Sequence, residues 1–212
     1  MFLLITGIIA SYLIGAIPTA YIFGRLLKGI DIRKFGSGNV GATNALRVLG
    51  KKAGIIVLLI DVFKGFAAVF FFGDFFVPGI NFLPSETLYI IFGLSSVLGH
   101  VWTIFLGFKG GKGMATILGV LIALSVKIAG LNVILGLSVL VWLVVFILLR
   151  IVSVASIASA LVLPVLVIVF KQSNTVVLLS FILSSLVLIR HKANIKRIFE
   201  GKEQRIAFKK SS

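Results

Sequence analysis

Residues 131–149 read LNVILGLSVLVWLVVFILL, and residues 152–170 read VSVASIASALVLPVLVIVF. Neither run carries a charged side chain, and only Arg150 and Ile151 separate them. A bilayer core of about 30 Å takes roughly 20 apolar residues as a helix. Backbone groups in lipid have no water to bond, so each run must close its hydrogen bonds internally as an α-helix. Working outward, further apolar segments fall at 2–24, 53–73, 87–106, 114–129 and 175–190. The expected fold is all-α: a polytopic membrane bundle of seven transmembrane helices, forming a single domain over residues 1–212. Apolar residues make up 59% of the chain and the mean hydropathy is +1.20, which leaves little material for a separate soluble domain. The stretch Phe2 to Phe23 has no basic segment before it and runs on through Pro18 without a small-residue cleavage site. It reads as a retained span, not a signal peptide.

Charge sets the expected orientation. The net charge is +15, from 21 Lys and Arg against 6 Asp and Glu. In a membrane protein such an excess first reflects the accumulation of basic residues on cytoplasmic loops, so no nucleic-acid partner is expected. Loop 25–52 carries Arg25, Lys28, Arg33, Lys34, Arg47, Lys51 and Lys52; loop 107–113 carries Lys109 and Lys112; Arg150 follows, and then a basic tail from Arg190. With seven spans all of these share one side. The other side holds Lys127 and Lys171, with Asp74 and Glu86. The N-terminus is therefore expected outside and the C-terminus in the cytoplasm. Segment 114–129 is the shortest; were it re-entrant, the two most basic regions would fall on opposite faces, so seven spans are kept. The chain has no cysteine, which excludes disulfides and thiolate metal sites.

The polar chemistry gathers in three places. The first is Gly36-Ser37-Gly38-Asn39-Val40-Gly41-Ala42-Thr43-Asn44, followed by Arg47. It contains GxGxxG, but a membrane helix precedes it where a dinucleotide site needs a strand. What survives is anion chemistry. Glycines let backbone N–H groups converge, side-chain donors add to them, and an arginine can clamp a phosphate through two parallel bonds. The second is Gly107-Phe108-Lys109-Gly110-Gly111-Lys112-Gly113. It fails the Walker pattern because Gly113 occupies the hydroxyl position. It still offers lysine charge, open approach and a helix start that favours anions. The third is the tail, where His191 and Asn194 lie three apart and share a face if the last helix continues.

Two buried features stand apart from these loops. Asp61 and Lys64 sit at i and i+3 inside a span. They read either as a substrate or proton path or as a pair that holds helices together, the pair being favoured. His100 has no second metal ligand nearby and reads as positioning the second loop. No internal repeat is visible, which weakens a transporter built from inverted repeats.

Taken together, three segments resemble the bacterial acyl-phosphate:glycerol-3-phosphate acyltransferases of the PlsY type. They are Gly36 through Arg47 with Asp61-Val62-Phe63-Lys64-Gly65 beyond, Gly99-His100 through Gly113, and His191, Asn194 and Glu203. Thr103, Ala193 and Ala16 depart from residues common in that family. The resemblance implies transfer of an acyl group from acyl phosphate to the first hydroxyl of glycerol 3-phosphate, giving lysophosphatidic acid and phosphate. It implies a multi-pass protein of the bacterial inner membrane, working on its cytoplasmic face with membrane lipid as product and surroundings. No metal and no cofactor are expected. Ser37, Arg47 and Lys112 would hold the acyl phosphate, and His191 and Asn194 would position glycerol 3-phosphate, these five being the expected catalytic set. Gly36, Gly38, Asn39, Gly41, Thr43, Asn44, Lys109, Gly110, Gly111, Gly113 and Glu203 would line the substrate sites. Two general bases stay open, His191 and a substrate phosphate oxygen. The H-x-x-x-x-D motif of another acyltransferase class is absent, because Phe105 and Lys196 stand five residues after the two histidines. The competing function is a transporter or flippase for a phosphorylated solute or lipid, which would place its polar groups near mid-membrane.

Overall fold

The computed structural model describes residues 1–206. These are all-helical, with no strand among them. They form two compact units, Met1–Ala129 and Gly130 onward.

In the first unit, α1 (Phe2–Ala16) and α2 (Thr19–Lys28) together make one apolar stretch. Pro18 interrupts it because proline has no N–H and its ring crowds the carbonyl one turn back. α3 (Ala42–Leu49) is short and leads through Gly50 into α4 (Lys51–Ala67). α4 continues through a wide π turn (Ala68–Phe72), α5 (Gly73–Phe76) and a 3-10 turn that ends at Gly79. α6 (Ser85–Val101) and α7 (Met114–Lys127) complete the unit.

Glycine decides how these helices pack. On α1 and α6, a Cβ at Gly15 would meet the Ser96 backbone, and one at Gly99 would meet the Tyr12 carbonyl. On α4 and α7, a Cβ at Gly65 would meet the Thr116 carbonyl, and one at Gly119 the Val62 carbonyl. Lipid supplies little hydrophobic drive between helices, so close backbone approach through small residues carries the association. The two ends of the unit differ in character. At one, Lys127 pairs with Asp74 at 2.7 Å and the Tyr89 hydroxyl donates to Asp74 at 2.8 Å, over an apolar cluster of Phe76, Val77, Ile80, Leu88 and Phe92. At the other lie both glycine-rich loops.

The second unit is α8 (Leu131–Leu149), α9 (Val152–Val169), α10 (Asn174–Arg190) and α11 (Lys192–Phe199). α8 packs on α9 and α9 on α10. The Ser159 hydroxyl donates to the Ser138 carbonyl, and the Trp142 indole donates to Ser156 Oγ at 3.2 Å. α11 leaves α10 at a bend of 59° at His191.

Every apolar segment expected from the sequence contains a helix. Among the described residues five stretches are long and apolar enough to cross a membrane, six if the bent pair α10–α11 is one span; α7 is shorter.

Candidate active site

The first glycine loop is built around Asn44. This residue sits fully buried on α3. Its Oδ1 accepts the Ser37 N–H at 2.8 Å, and its Nδ2 donates to the carbonyls of Ile32 (3.3 Å) and Phe35 (3.1 Å). Gly36 has φ +60°, and a Cβ there would strike the Asn44 amide. Gly38, at φ +71°, gives its N–H to Phe35 O. The loop is thus folded by its own polar groups, and it leaves Ser37 exposed at the tip, with Gly38, Asn39 and Thr43 half-buried. Arg47 is exposed one turn after Asn44 on α3. Asp31 precedes the loop; its carboxylate accepts from the Arg33 N–H and is gripped by the Arg33 guanidinium at 2.7 Å. That hydrogen bond to Arg33 holds the Asp31 pKa down at about 2.

The second loop returns on the end of α6. The Gly110 N–H donates to Val101 O and the Gly111 N–H to His100 O, both at 3.1 Å. These two amides are engaged by α6 carbonyls, so the contribution of both glycines is close approach. A Cβ at Gly110 would run into His100 O, and one at Gly111 into the His100 ring. Gly113 adopts φ +88° at the start of α7, a conformation that favours glycine. Lys109 is exposed and Lys112 half-buried.

The two loops meet. The space where a Gly111 side chain would be is closed by His100 Nε2 on one side and by Val40 O, from the first loop, on the other. They also share one apolar floor: Val40, Ala45 and Ile32 from the first loop region, Leu106 from the second, with Ala20 of α2 and Val57 of α4. Lys28 Nζ caps the end of α3 by donating to Val48 O at 2.6 Å. Ser37 and Lys112 on the two loops, and Arg47 on α3, are therefore anchored to a common base.

Beneath them lies a buried polar cluster that the sequence pointed to only in part. Asp61 Oδ1 stands 2.9 Å from Lys64 Nζ, accepts from the Thr19 hydroxyl at 3.0 Å and faces His100 Nδ1 at 3.8 Å. Lys64 also donates to Ile17 O at 3.0 Å, and the Thr103 hydroxyl donates to Ala16 O. Two carbonyls at the α1–α2 break thus receive side-chain donors from α4 and from just past α6, Ile17 O also accepting the Thr19 N–H at 3.0 Å. Asp61 and Lys64 bridge α4 to the α1–α2 break.

In the second unit, His191 and Asn194 are both buried at the α10–α11 junction. His191 Nδ1 lies 2.8 Å from Val187 O, which sets that nitrogen as the protonated one, since a carbonyl only accepts. Asn194 Nδ2 donates to Glu203 Oε1 at 2.6 Å; Ser153 Oγ donates to the same oxygen at 2.8 Å, and Arg197 Nε donates to Oε2 at 2.7 Å. Glu203 is therefore an anchor for the tail within this unit. Burial pushes its pKa up, but the bonds from Asn194, Arg197 and Ser153 outweigh it and hold the carboxyl below its usual range. Among the described residues no group of three or more His, Cys, Asp or Glu side chains is arranged to hold a metal ion.

An integral membrane protein with basic, glycine-shaped loops at one end of a helical unit is a narrow class. The family model for glycerol-3-phosphate acyltransferase matches residues 5–201. A glycerol-3-phosphate acyltransferase of Chlorobium phaeobacteroides strain BS1 is 42% identical, covering 98% of each chain. One from Chlorobaculum tepidum is 40% identical over 95% of each. The crystal structure of PlsY, an integral membrane glycerol 3-phosphate acyltransferase, in its glycerol 3-phosphate form is similar with a TM-score of 0.84 and 37% identity, covering 96% of each chain. Its lysophosphatidic acid form is similar at 0.80. The chain belongs to the glycerol-3-phosphate acyltransferase family.

Proposed function

We propose that this chain transfers a fatty acyl group from acyl phosphate to the sn-1 hydroxyl of glycerol 3-phosphate, releasing lysophosphatidic acid and inorganic phosphate. The observation that carries this reading is the meeting of the two glycine loops on one base, in a chain of this family. Substrate and leaving group are both phosphates, and the two loops with α3 bring Ser37, Lys112 and Arg47 to one end of the first unit. Family membership favours the acyltransferase over the transporter reading, and the loop position agrees, since the deep pair Asp61–Lys64 is occupied in holding helices.

In the reaction the glycerol hydroxyl oxygen attacks the acyl carbonyl carbon. The carbonyl–phosphate bond then breaks, and the hydroxyl proton ends on the departing phosphate or passes first through a base. Arg47 and Lys112 offset the charge that grows on the leaving phosphate, and Ser37 donates to it. An acyl phosphate carries its own good leaving group, so the chemistry needs no cofactor. His191 and Asn194 position the acceptor, with Glu203 fixing the Asn194 amide. The base is His191 or a phosphate oxygen. For His191, a neutral ring protonated on Nδ1 leaves Nε2 as the acceptor.

Both units act as one functional domain over residues 1–212 in the bacterial inner membrane. There are seven crossings, with the N-terminus outside and the C-terminus and glycine loops cytoplasmic. The asymmetry of Lys and Arg supports this orientation. The packing of α7 on α4 at Gly65–Thr116 and the pairing of Lys127 with Asp74 of α5 support counting α7 among the crossings. The test is phosphate release by purified protein given glycerol 3-phosphate with either acyl phosphate or acyl-CoA. Turnover with acyl phosphate is expected. Turnover with acyl-CoA alone refutes the donor, and none with either refutes the enzyme.

A further inference from the structure

The buried cluster under the loops does more than helix-holding requires. Lys64 and Thr19 already satisfy Asp61, at 2.9 and 3.0 Å. His100 nevertheless lies between that carboxylate and the second loop. One ring nitrogen, Nδ1, faces Asp61 Oδ1 at 3.8 Å, beyond direct hydrogen-bond range but close for charge and dipole. The other edge of the ring fills the space at Gly111, next in sequence to Lys112. The His100 carbonyl holds the Gly111 N–H from the same residue. Val40 O closes the slot from the first loop. The imidazole is 7% exposed and so is fixed by packing as well as by the carboxylate.

We infer that His100, oriented by Asp61, is a positioning residue for Lys112: its rigid ring sets the height of Gly111 and thereby the place of the lysine ammonium above the first loop. His100 touches no substrate in this assignment and acts through the loop alone. The inference rests on the phosphate-holding reading of Lys112.

A double-mutant cycle on kcat/KM for acyl phosphate tests it, with folding checked by thermal unfolding of each purified variant. Misplacement of a catalytic group by about 1 Å costs up to about 100-fold, so His100→Ala is expected to lose roughly 10- to 100-fold. In a Lys112→Ala background the same change is expected to cost less than about 3-fold, because coupled residues are not additive. A residue that merely supports the fold would multiply its full factor onto Lys112→Ala, and that result overturns the proposal. So does a wild-type kcat/KM for His100→Ala. If the alanine variant does not fold, His100→Gln replaces it in the cycle. Glutamine keeps the length and a donor but not the rigid ring, and its smaller loss must likewise vanish without Lys112. A Lys112→Ala variant with normal turnover would refute the phosphate-holding reading itself, an outcome distinct from additivity.

Discussion

Replacing Lys64 with methionine removes a cation that is 3% exposed and serves two partners, Asp61 Oδ1 at 2.9 Å and Ile17 O at 3.0 Å. Asp61 is left buried with the Thr19 hydroxyl and the more distant His100, and one carbonyl at the α1–α2 break loses its side-chain donor. Removing one partner of a buried pair costs about 3–5 kcal/mol, because the remaining charge stays desolvated. For a chain of this length each kcal/mol moves the midpoint by about 2–4 °C, so Lys64→Met should lower Tm by roughly 6–20 °C. The double variant Asp61→Asn with Lys64→Met removes both charges and should recover most of that loss, since a buried pair is often replaceable by neutral groups. The assay is thermal unfolding in detergent, followed by tryptophan fluorescence. A single variant within about 2 °C of wild type, or a double variant no better than the single, would refute the account of the pair as a mutually dependent staple.

Three further outcomes follow from particular contacts. Asn44→Asp keeps an acceptor for the Ser37 N–H but turns a carboxylate toward Ile32 O and Phe35 O; a buried group facing unmatched acceptors costs about 1–3 kcal/mol, and faster hydrogen exchange over residues 35–41 with reduced activity should report it. Glu203 has a depressed pKa in the folded state, so its stabilisation is complete above its ordinary value of 4.5 and is lost as pH falls through the lower folded value; acid-dependent loosening of residues 202–206 in hydrogen exchange should therefore disappear in Glu203→Ala, which is already loose at neutral pH. Gly119→Leu should fail to give monodisperse protein because any side chain there meets Val62 O, whereas Gly136→Ala, with open space around it, should be silent in size-exclusion chromatography.

Much of the fold was written in hydropathy alone. The charge-free run 131–149 became α8 with the same limits, since nothing within it competes with an apolar helix. Positions where tertiary contacts decide were harder to read. The second span extends past residue 73 to Gly79 through a π turn packed near α6, and the last helix turns by 59° at His191. That Lys64 and Thr103 donate to carbonyls at the α1–α2 break depends on tertiary contacts that hydropathy does not show. In the loops, glycine abundance indicated a tight backbone. It did not distinguish amides open to a ligand from amides already bonded, and those of Gly38, Gly110 and Gly111 are bonded within the protein. Nor did the sequence show that the buried Asn44 amide bonds the loop backbone at Ser37, Ile32 and Phe35. That the first two motifs belong together came from resemblance; the contact of Val40 with Gly111 gives it a physical basis.

In the proposed reaction the paired loops hold the phosphate of the acyl donor. Steady-state phosphate release by Lys112→Ala, with glycerol 3-phosphate saturating and acyl phosphate varied, tests it most directly. Loss of a preorganised charge at a developing anion costs about 100- to 1,000-fold, and a fall of that size in kcat/KM with an unchanged Tm is the predicted result. Near-normal kcat/KM in a folded Lys112→Ala protein would contradict the claim.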